Sequence, residues 1–443
     1  MIKNYLKVAW RNLLRNKTFS LINVSGLTIG MACTMLIALW VYNEKNWDHY
    51  NKNYENIYHI FSNRNFNGEI STGPDMMYPL AKATKETMPD ITHSAIVSFP
   101  ANILLANGDK RLNKSMLTVS PEFFDIFSFD FIKGNAAALQ DPDAMVITES
   151  TARSLFGETD VIGQSVRINN NRNAIVKAVV KDVPRNSTLQ FEGLIPFNPS
   201  SPEIKQAEND WVNCNNRIIV STKPGTNIAG LETKVLDLIK KRTGNENPTT
   251  RGSVVLHPMS KWRLYEEFRD GKNVGGRIQY VNLFTWVAVV ILIIACVNFM
   301  NLSTARSEKR AKEVGIRKTL GSERKQLVWQ FLSESVLLAI ISFLLAVAVV
   351  YAAIPAFRQL LNIDVVIPYR EPSLWGIALG IILLTGIFAG GYPAFYLSGF
   401  MPVKVLKGTI LQGKQAVLPR KILVTSQFIA SIILISATLI IYQ

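Results

Sequence analysis

Ile278-Gln-Tyr-Val-Asn-Leu-Phe-Thr-Trp-Val-Ala-Val-Val-Ile-Leu-Ile-Ile-Ala-Cys-Val-Asn-Phe-Met-Asn-Leu-Ser-Thr-Ala305 contains no Asp, Glu, Lys or Arg. It is followed at once by the charged run Arg306-Ser-Glu-Lys-Arg-Ala-Lys-Glu-Val-Gly-Ile-Arg-Lys-Thr-Leu-Gly321. An uncharged run of that length exceeds the roughly 20 residues a helix needs to cross a bilayer. Four other stretches read the same way: Thr18 to Asn43, Ser335 to Phe357, Pro372 to Val403 and Ile422 to Gln443. With 48% hydrophobic residues in 443, this excludes a fully water-soluble enzyme. The first run is also too long for a cleavable signal core. The chain reads as a polytopic α-helical membrane protein.

Charge predicts which way the spans run. The formal charge is +15, and residues 1 to 43 carry Lys3, Lys7, Arg11, Arg15 and Lys17 with no acid. Arg306 to Glu334 has eight basic and four acidic residues, and Lys404 to Lys421 has five against none. Glu44 to Arg277 is nearly balanced at 28 and 27, and Arg358 to Glu371 has two of each. The positive-inside rule therefore puts the N-terminus and both basic loops in the cytoplasm, with the large insertion outside. A neutral insertion offers no basic patch for nucleic acid.

The expected order is an amphipathic interfacial helix over 1–17, a first span over 18–43, and an extracytoplasmic α+β domain over 44–277. A second span (278–305), a coupling segment (306–334) and a third span (335–357) follow. A short outside loop (358–371), a fourth span (372–403), a basic linker (404–421) and a fifth span (422–443) complete the chain. Inside the domain, strands are predicted at Ala144–Thr148, Ser165–Asn169, Ile175–Lys181, Arg217–Ser221 and Ser253–His257. Helices are predicted at Tyr78–Met88, Glu149–Phe156 and Leu231–Thr243, the second capped by Thr148 and stopped by Gly157. A Pro-, Ser- and Asn-rich break at Ser187–Asp210 is the expected boundary between two lobes.

Several chemistries lack their residues. No span holds an ionisable side chain, which an ion-coupled carrier would need near the bilayer midplane. Gly408 to Gln415 has phosphate-loop glycines and a lysine, but Gln415 stands where a Mg²⁺-binding hydroxyl belongs. His49, His59, His93 and His257 show no zinc spacing, and Cys33, Cys214 and Cys296 suggest no disulfide framework. No catalytic, cofactor-binding or metal site is therefore expected in this chain.

Two features remain informative. Glu308 with Lys312 and Glu313 with Arg317 stand in the favourable helical order, Gly321 can end that helix, and Ser322 can cap the next. The result would be a charged corner projecting from the membrane, suited to a groove on a soluble partner. Gly26 with Gly30, and Gly386, Gly390 and Gly391 beside Pro393, predict close helix packing or a hinge.

The N-terminal Trp10 to Lys17, Val119 to Phe127, Thr148 to Gly157, Ile162-Gly163, Glu308 to Gly321, and Gly390 to Ala394 with Pro402 and Leu406-Lys407-Gly408 together resemble the FtsX-like and MacB-like permeases of the type VII ABC transporter class. The resemblance implies a bacterial inner-membrane permease subunit, a homodimer or paired half. It implies a separate cytosolic ATPase that holds ATP and Mg, contacted or positioned by Glu308, Lys312, Glu313, Gly315, Arg317, Lys318 and Gly321. Close relatives carry two four-helix halves, so the fifth span reads as the start of a second repeat in a longer protein. Membrane lipids and an extracytoplasmic protein are further expected partners. The competing reading is a membrane-anchored sensor or scaffold whose outside domain binds a ligand.

Overall fold

The computed structural model describes residues 11, 17–244, 252–305, 314–398 and 414–442. The interfacial helix proposed for residues 1–17 falls almost entirely outside them, as do Glu308, Lys312 and Glu313. The chain forms two compact units, one of residues 1–42 with 281–443 and one of Asn43–Tyr280.

Among the described residues, four helices are long and apolar enough to cross a membrane: Lys17–Lys45, Ile278–Thr304, Arg324–Leu361 and Pro372–Phe395. A helix bonds every backbone N–H and C=O within itself, as an apolar bilayer demands. The helices differ from the apolar runs at their ends. The third begins at Arg324 rather than Ser335, because nothing between them breaks a helix. The fifth helix, Lys414–Tyr442, takes in the last part of the expected basic linker.

The second unit is built on a thirteen-stranded sheet. Its path places β11 (Gly193–Pro196), β8 (Ala144–Thr148), β10 (Arg172–Val180), β9 (Ser165–Ile168), β5 (Ala101–Asn107) and β6 (Lys110–Val119) side by side. Because β11 also pairs with β6 in parallel, these six strands close into a ring. Met145, Ile147, Val166, Val176 and Ile195 fill one of its cores, with Ala152 and Leu155 of helix Glu149–Phe156. Beyond β6 the sheet runs through β4 (Ile91–Val97), β12 (Cys214–Thr222), β1 (Ile57–Phe66) and β13 (Ser253–Pro258). There Leu80, Leu231, Val235 and Ile239 of helices Leu80–Thr87 and Ile228–Thr243 pack against Ile96, Ile218 and Leu256. A third core around Phe123 joins residues from both parts.

The division of this unit is nested, not sequential. The ring lies between Ala101 and Pro196, while the helix-covered part uses the chain on both sides. The expected boundary at Ser187–Asp210 contains β11, the strand that closes the ring. Pro and Ser there mark the loops around a short strand, which composition alone cannot separate from a linker. Helix Glu149–Phe156 has the expected ends: Thr148 Oγ1 accepts from Thr151 N–H, and Gly157 takes φ +92°. Hairpin β1–β2 (Glu69–Gly73) turns on Asn67-Gly68 at φ +53° and +100°. That dipeptide suits the two-residue turn because both its positions need positive φ.

Candidate functional site

The charged corner is a closed local structure. Residues 314–319 are helical, Gly321 N–H donates to Lys318 O at 3.1 Å, and Ser322 N–H donates to Arg317 O at 3.0 Å. This bond pair ends a helix through a left-handed residue, and Gly321 sits at φ +93°. A Cβ there would meet nothing within 4 Å, so the backbone, not space, calls for glycine. Ser322 is not the next cap. Its N–H is committed to the turn just closed, and Glu323 is the N-cap of helix Arg324–Leu361 with no side-chain cap bond.

The two legs of the corner are joined by Val314, Leu327 and Phe331, buried together with Ala394 of the fourth helix. Gly315 is buried beside them. Arg317 donates through Nη1 to Gln330 Oε1, and Lys318 Nζ donates to Ser398 O at 2.7 Å. Arg324 Nε reaches Ser398 Oγ at 3.4 Å. Arg317 and Lys318 thus brace the corner against the third and fourth helices. What faces outward is apolar with a basic rim: Ile316 is 52% exposed, Leu320 81% and Trp329 67%, beside exposed Arg324 and Lys325. Ile316 and Leu320 lie one helical turn apart, on the opposite side from Val314. The sequence carries that phase, but charge drew attention away from it.

A second feature escapes a reading by charge and length. Glu334, near the start of the third helix, is only 6% exposed. It lines a cavity of about 10 Å³, room for one water. Phe19, Phe299, Ser303, Ser335, Gly390 and Pro393 complete that wall, so all four spanning helices meet there.

The glycines divide by their surroundings. A Cβ on Gly390 would lie 2.5 Å from Ser335 Cβ, one on Gly386 2.9 Å from Val336 Cα, and one on Gly30 2.5 Å from Ala295 Cβ. At these positions helix backbones approach as closely as glycine permits. Gly26 is looser, with Asn298 Nδ2 at 3.4 Å, and Gly391 faces open space. The fourth helix continues through Pro393.

The second unit contains titratable groups that burial perturbs. His59 and His257 are opposite each other across β1 and β13 and lie among Phe61, Trp262 and Phe268. Burial lowers both, His257 to about 4 and His59 well below the usual imidazole range, where Arg217 adds repulsion. Burial raises Asp48 to about 6 against the hydrogen bonds of Thr188. Among the described residues no three His, Cys, Asp or Glu side chains cluster for a metal.

Residues 20–238 match the family model of the MacB-like periplasmic core domain, and residues 286–402 match the FtsX-like permease C-terminal model. The macrolide export ATP-binding/permease protein MacB of Neisseria gonorrhoeae is 23% identical over 399 residues, 89% of this chain and 59% of that protein. Its Escherichia coli counterpart is 24% identical over 416 residues, 90% and 60% respectively. The chain thus spans about three-fifths of the length of these curated relatives. A domain of a putative permease from Porphyromonas gingivalis overlaps 47% of this chain and 92% of its own, with 23% identity and a TM-score of 0.41. That overlap is too loose to bear weight. The two family models together run from the first membrane helix through the domain to the end of the fourth helix, and the chain belongs to the FtsX-like, MacB-like permeases.

Proposed function

We propose that this chain is the permease part of an ABC transporter of the bacterial inner membrane. A separate cytosolic ATPase docks on the corner at residues 314–329, and its cycle changes the conformation of the extracytoplasmic domain. The observation that carries this reading is the corner itself. A turn whose Arg317 and Lys318 bond to Gln330 and Ser398, while Ile316, Leu320 and Trp329 are exposed beside Arg324 and Lys325, has the apolar centre and polar rim of a docking surface. The names of the MacB relatives, which pair ATP binding with a permease, support an ATPase as the occupant. The N-terminus is cytoplasmic by the distribution of Lys and Arg. Export, release of a lipoprotein and control of a cell-wall enzyme are all outputs that such a domain movement could drive.

The test is a mild-detergent purification of the chain from its native cells, with mass spectrometry of what accompanies it. A Walker-motif ATPase should co-purify and should be lost with Leu320→Asp or Trp329→Ala, while membrane insertion stays normal. Arg317→Glu with Lys318→Glu should also release it, by undoing the brace. Purification without any ATPase would refute the permease reading in favour of a membrane-anchored sensor or scaffold.

A further inference from the structure

The first membrane helix does not end with its apolar run. It continues to Lys45, and from Asn43 onward its residues belong to the second unit. Glu44 there has a side chain only 3% exposed. A carboxylate so placed requires a partner, and it has one. Arg263 donates Nε to Oε2 at 2.9 Å and Nη2 to Oε1 at 3.0 Å, a two-pronged ion pair. The guanidinium also lies 3.7 Å from the centre of the Trp47 ring. The residue after Arg263 carries the tie onward, since Leu264 O accepts from the N–H of Ile278, the first residue of the second membrane helix.

A second tie follows at Asp48. It is fully buried, and its backbone takes φ +63°, which a non-glycine residue adopts only when its surroundings impose it. Its carboxylate accepts from Thr188 N–H at 2.7 Å and Thr188 Oγ1 at 2.5 Å, and its own N–H donates to Asn186 O at 2.8 Å. Tyr50 and Ser187 share a further hydrogen bond at 2.8 Å. Thr188 lies five residues before the start of β11, which closes the six-stranded ring.

We propose that residues 44–48 are a two-point grip. Glu44 with Arg263 holds the outer ends of the first and second membrane helices together, and Asp48 with Thr188 passes their movement into β11 and the ring. Glu44, Asp48, Thr188 and Arg263 are positioning residues, and the proposal rests on the coupling reading above. It adds the path by which movement reaches the domain and a specific division of labour. Loss of the Asp48 tie should silence the ring alone, whereas loss of the Glu44 tie should silence both segments.

The experiment is hydrogen–deuterium exchange on the full chain with its ATPase in lipid nanodiscs, without nucleotide and with a non-hydrolysable ATP analogue. In the wild type the analogue should change exchange at least three-fold in residues 184–197 and 258–265. Asp48→Gly, which removes both carboxylate bonds and suits the positive φ, should abolish the change in 184–197 and leave that in 258–265, and Glu44→Gln should abolish both. The two variants should keep wild-type exchange without nucleotide and wild-type recovery of the ATPase, which a merely structural role would not permit. The exchanged pair Glu44→Arg with Arg263→Glu should restore the response. Variants that respond like the wild type would overturn the grip and leave the coupling reading intact, as would variants whose exchange already rises throughout the domain without nucleotide. A wild-type chain that binds the ATPase but shows no response would overturn both.

Discussion

The membrane helices and the domain between the first two of them share apolar packing but differ in what drives it. In the domain, large side chains fill the interior: Phe123 is fully buried, with the rings of Phe124, Phe127 and Phe129 within 6 Å of its own. Among the membrane helices, glycines also let backbones approach closely, Gly30 against Ala295, Gly386 against Val336 and Gly390 against Ser335. Water explains the difference. Burying a ring removes apolar surface from water in the domain, whereas lipid tails are as apolar as a leucine and give helices no such reason to associate. Between helices, close backbone contact and a few polar groups must serve instead. Each part also holds a buried carboxylate, Glu44 against Arg263 in the domain and Glu334 where four membrane helices meet.

The contrast can be broken most sharply at Phe123. Phe123→Ala should cost about 3–5 kcal/mol, read from urea unfolding of the full chain in detergent by tryptophan fluorescence. Glu44→Ala comes next, at roughly 3 kcal/mol in the same measurement, because it leaves the guanidinium of Arg263 half-buried with only the Trp47 ring. Should Glu44→Ala unfold at the wild-type urea midpoint, the pair is a surface contact and the domain relies on its aromatic core alone.

The Asp48 carboxyl titrates at about 6 in the folded chain against 3.8 for the free group, so folding favours its protonated form. Its contribution to stability is complete below about pH 4 and is lost as pH rises through about 6, up to about 3 kcal/mol. His257, lowered to about 4, acts oppositely, since its contribution is complete above 6.5 and is lost as pH falls towards 4. The wild-type profile therefore mixes the two, and a comparison with Asp48→Asn isolates the carboxyl. The stability of Asp48→Asn relative to wild type should rise between pH 4 and 6.5 and then level off. A constant difference across that range would mean that Asp48 stays ionised throughout.

The smallest effects belong to neighbouring glycines of the fourth helix. Gly390→Leu should cost about 1–3 kcal/mol of bundle stability by overpacking against Ser335, whereas Gly391→Ala should be neutral or gain up to about 1 kcal/mol from helix propensity. Thermal aggregation in detergent would rank them. Equal sensitivity at the two positions would show that the bundle does not depend on the close approach at Gly390.

Much of this molecule was legible in the sequence because the signals are local. An uncharged run longer than a bilayer is thick requires a spanning helix wherever it folds, and the caps of helix Glu149–Phe156 depend only on Thr148 and Gly157. The unread strands were those whose partners are distant or whose faces are mixed. Strand β6 carries Lys110, Arg111 and Lys114 on its exposed part, and β11 has four residues within a Pro- and Ser-rich stretch. The corner was located from its charges and its glycine, but which of its side chains face outward was not. That Arg317 bonds to Gln330 and Lys318 to the carbonyl of Ser398 depends on the fold that brings those groups beside them. By itself the sequence determined the spans, their order and the inserted domain, since length and apolarity set these against the bilayer. Only the tertiary structure decided the ring, the enclosure of Glu334 and the hold of Glu44 and Asp48 on residues far along the chain. Contacts between distant segments depend on how the whole chain packs, and no local pattern encodes them.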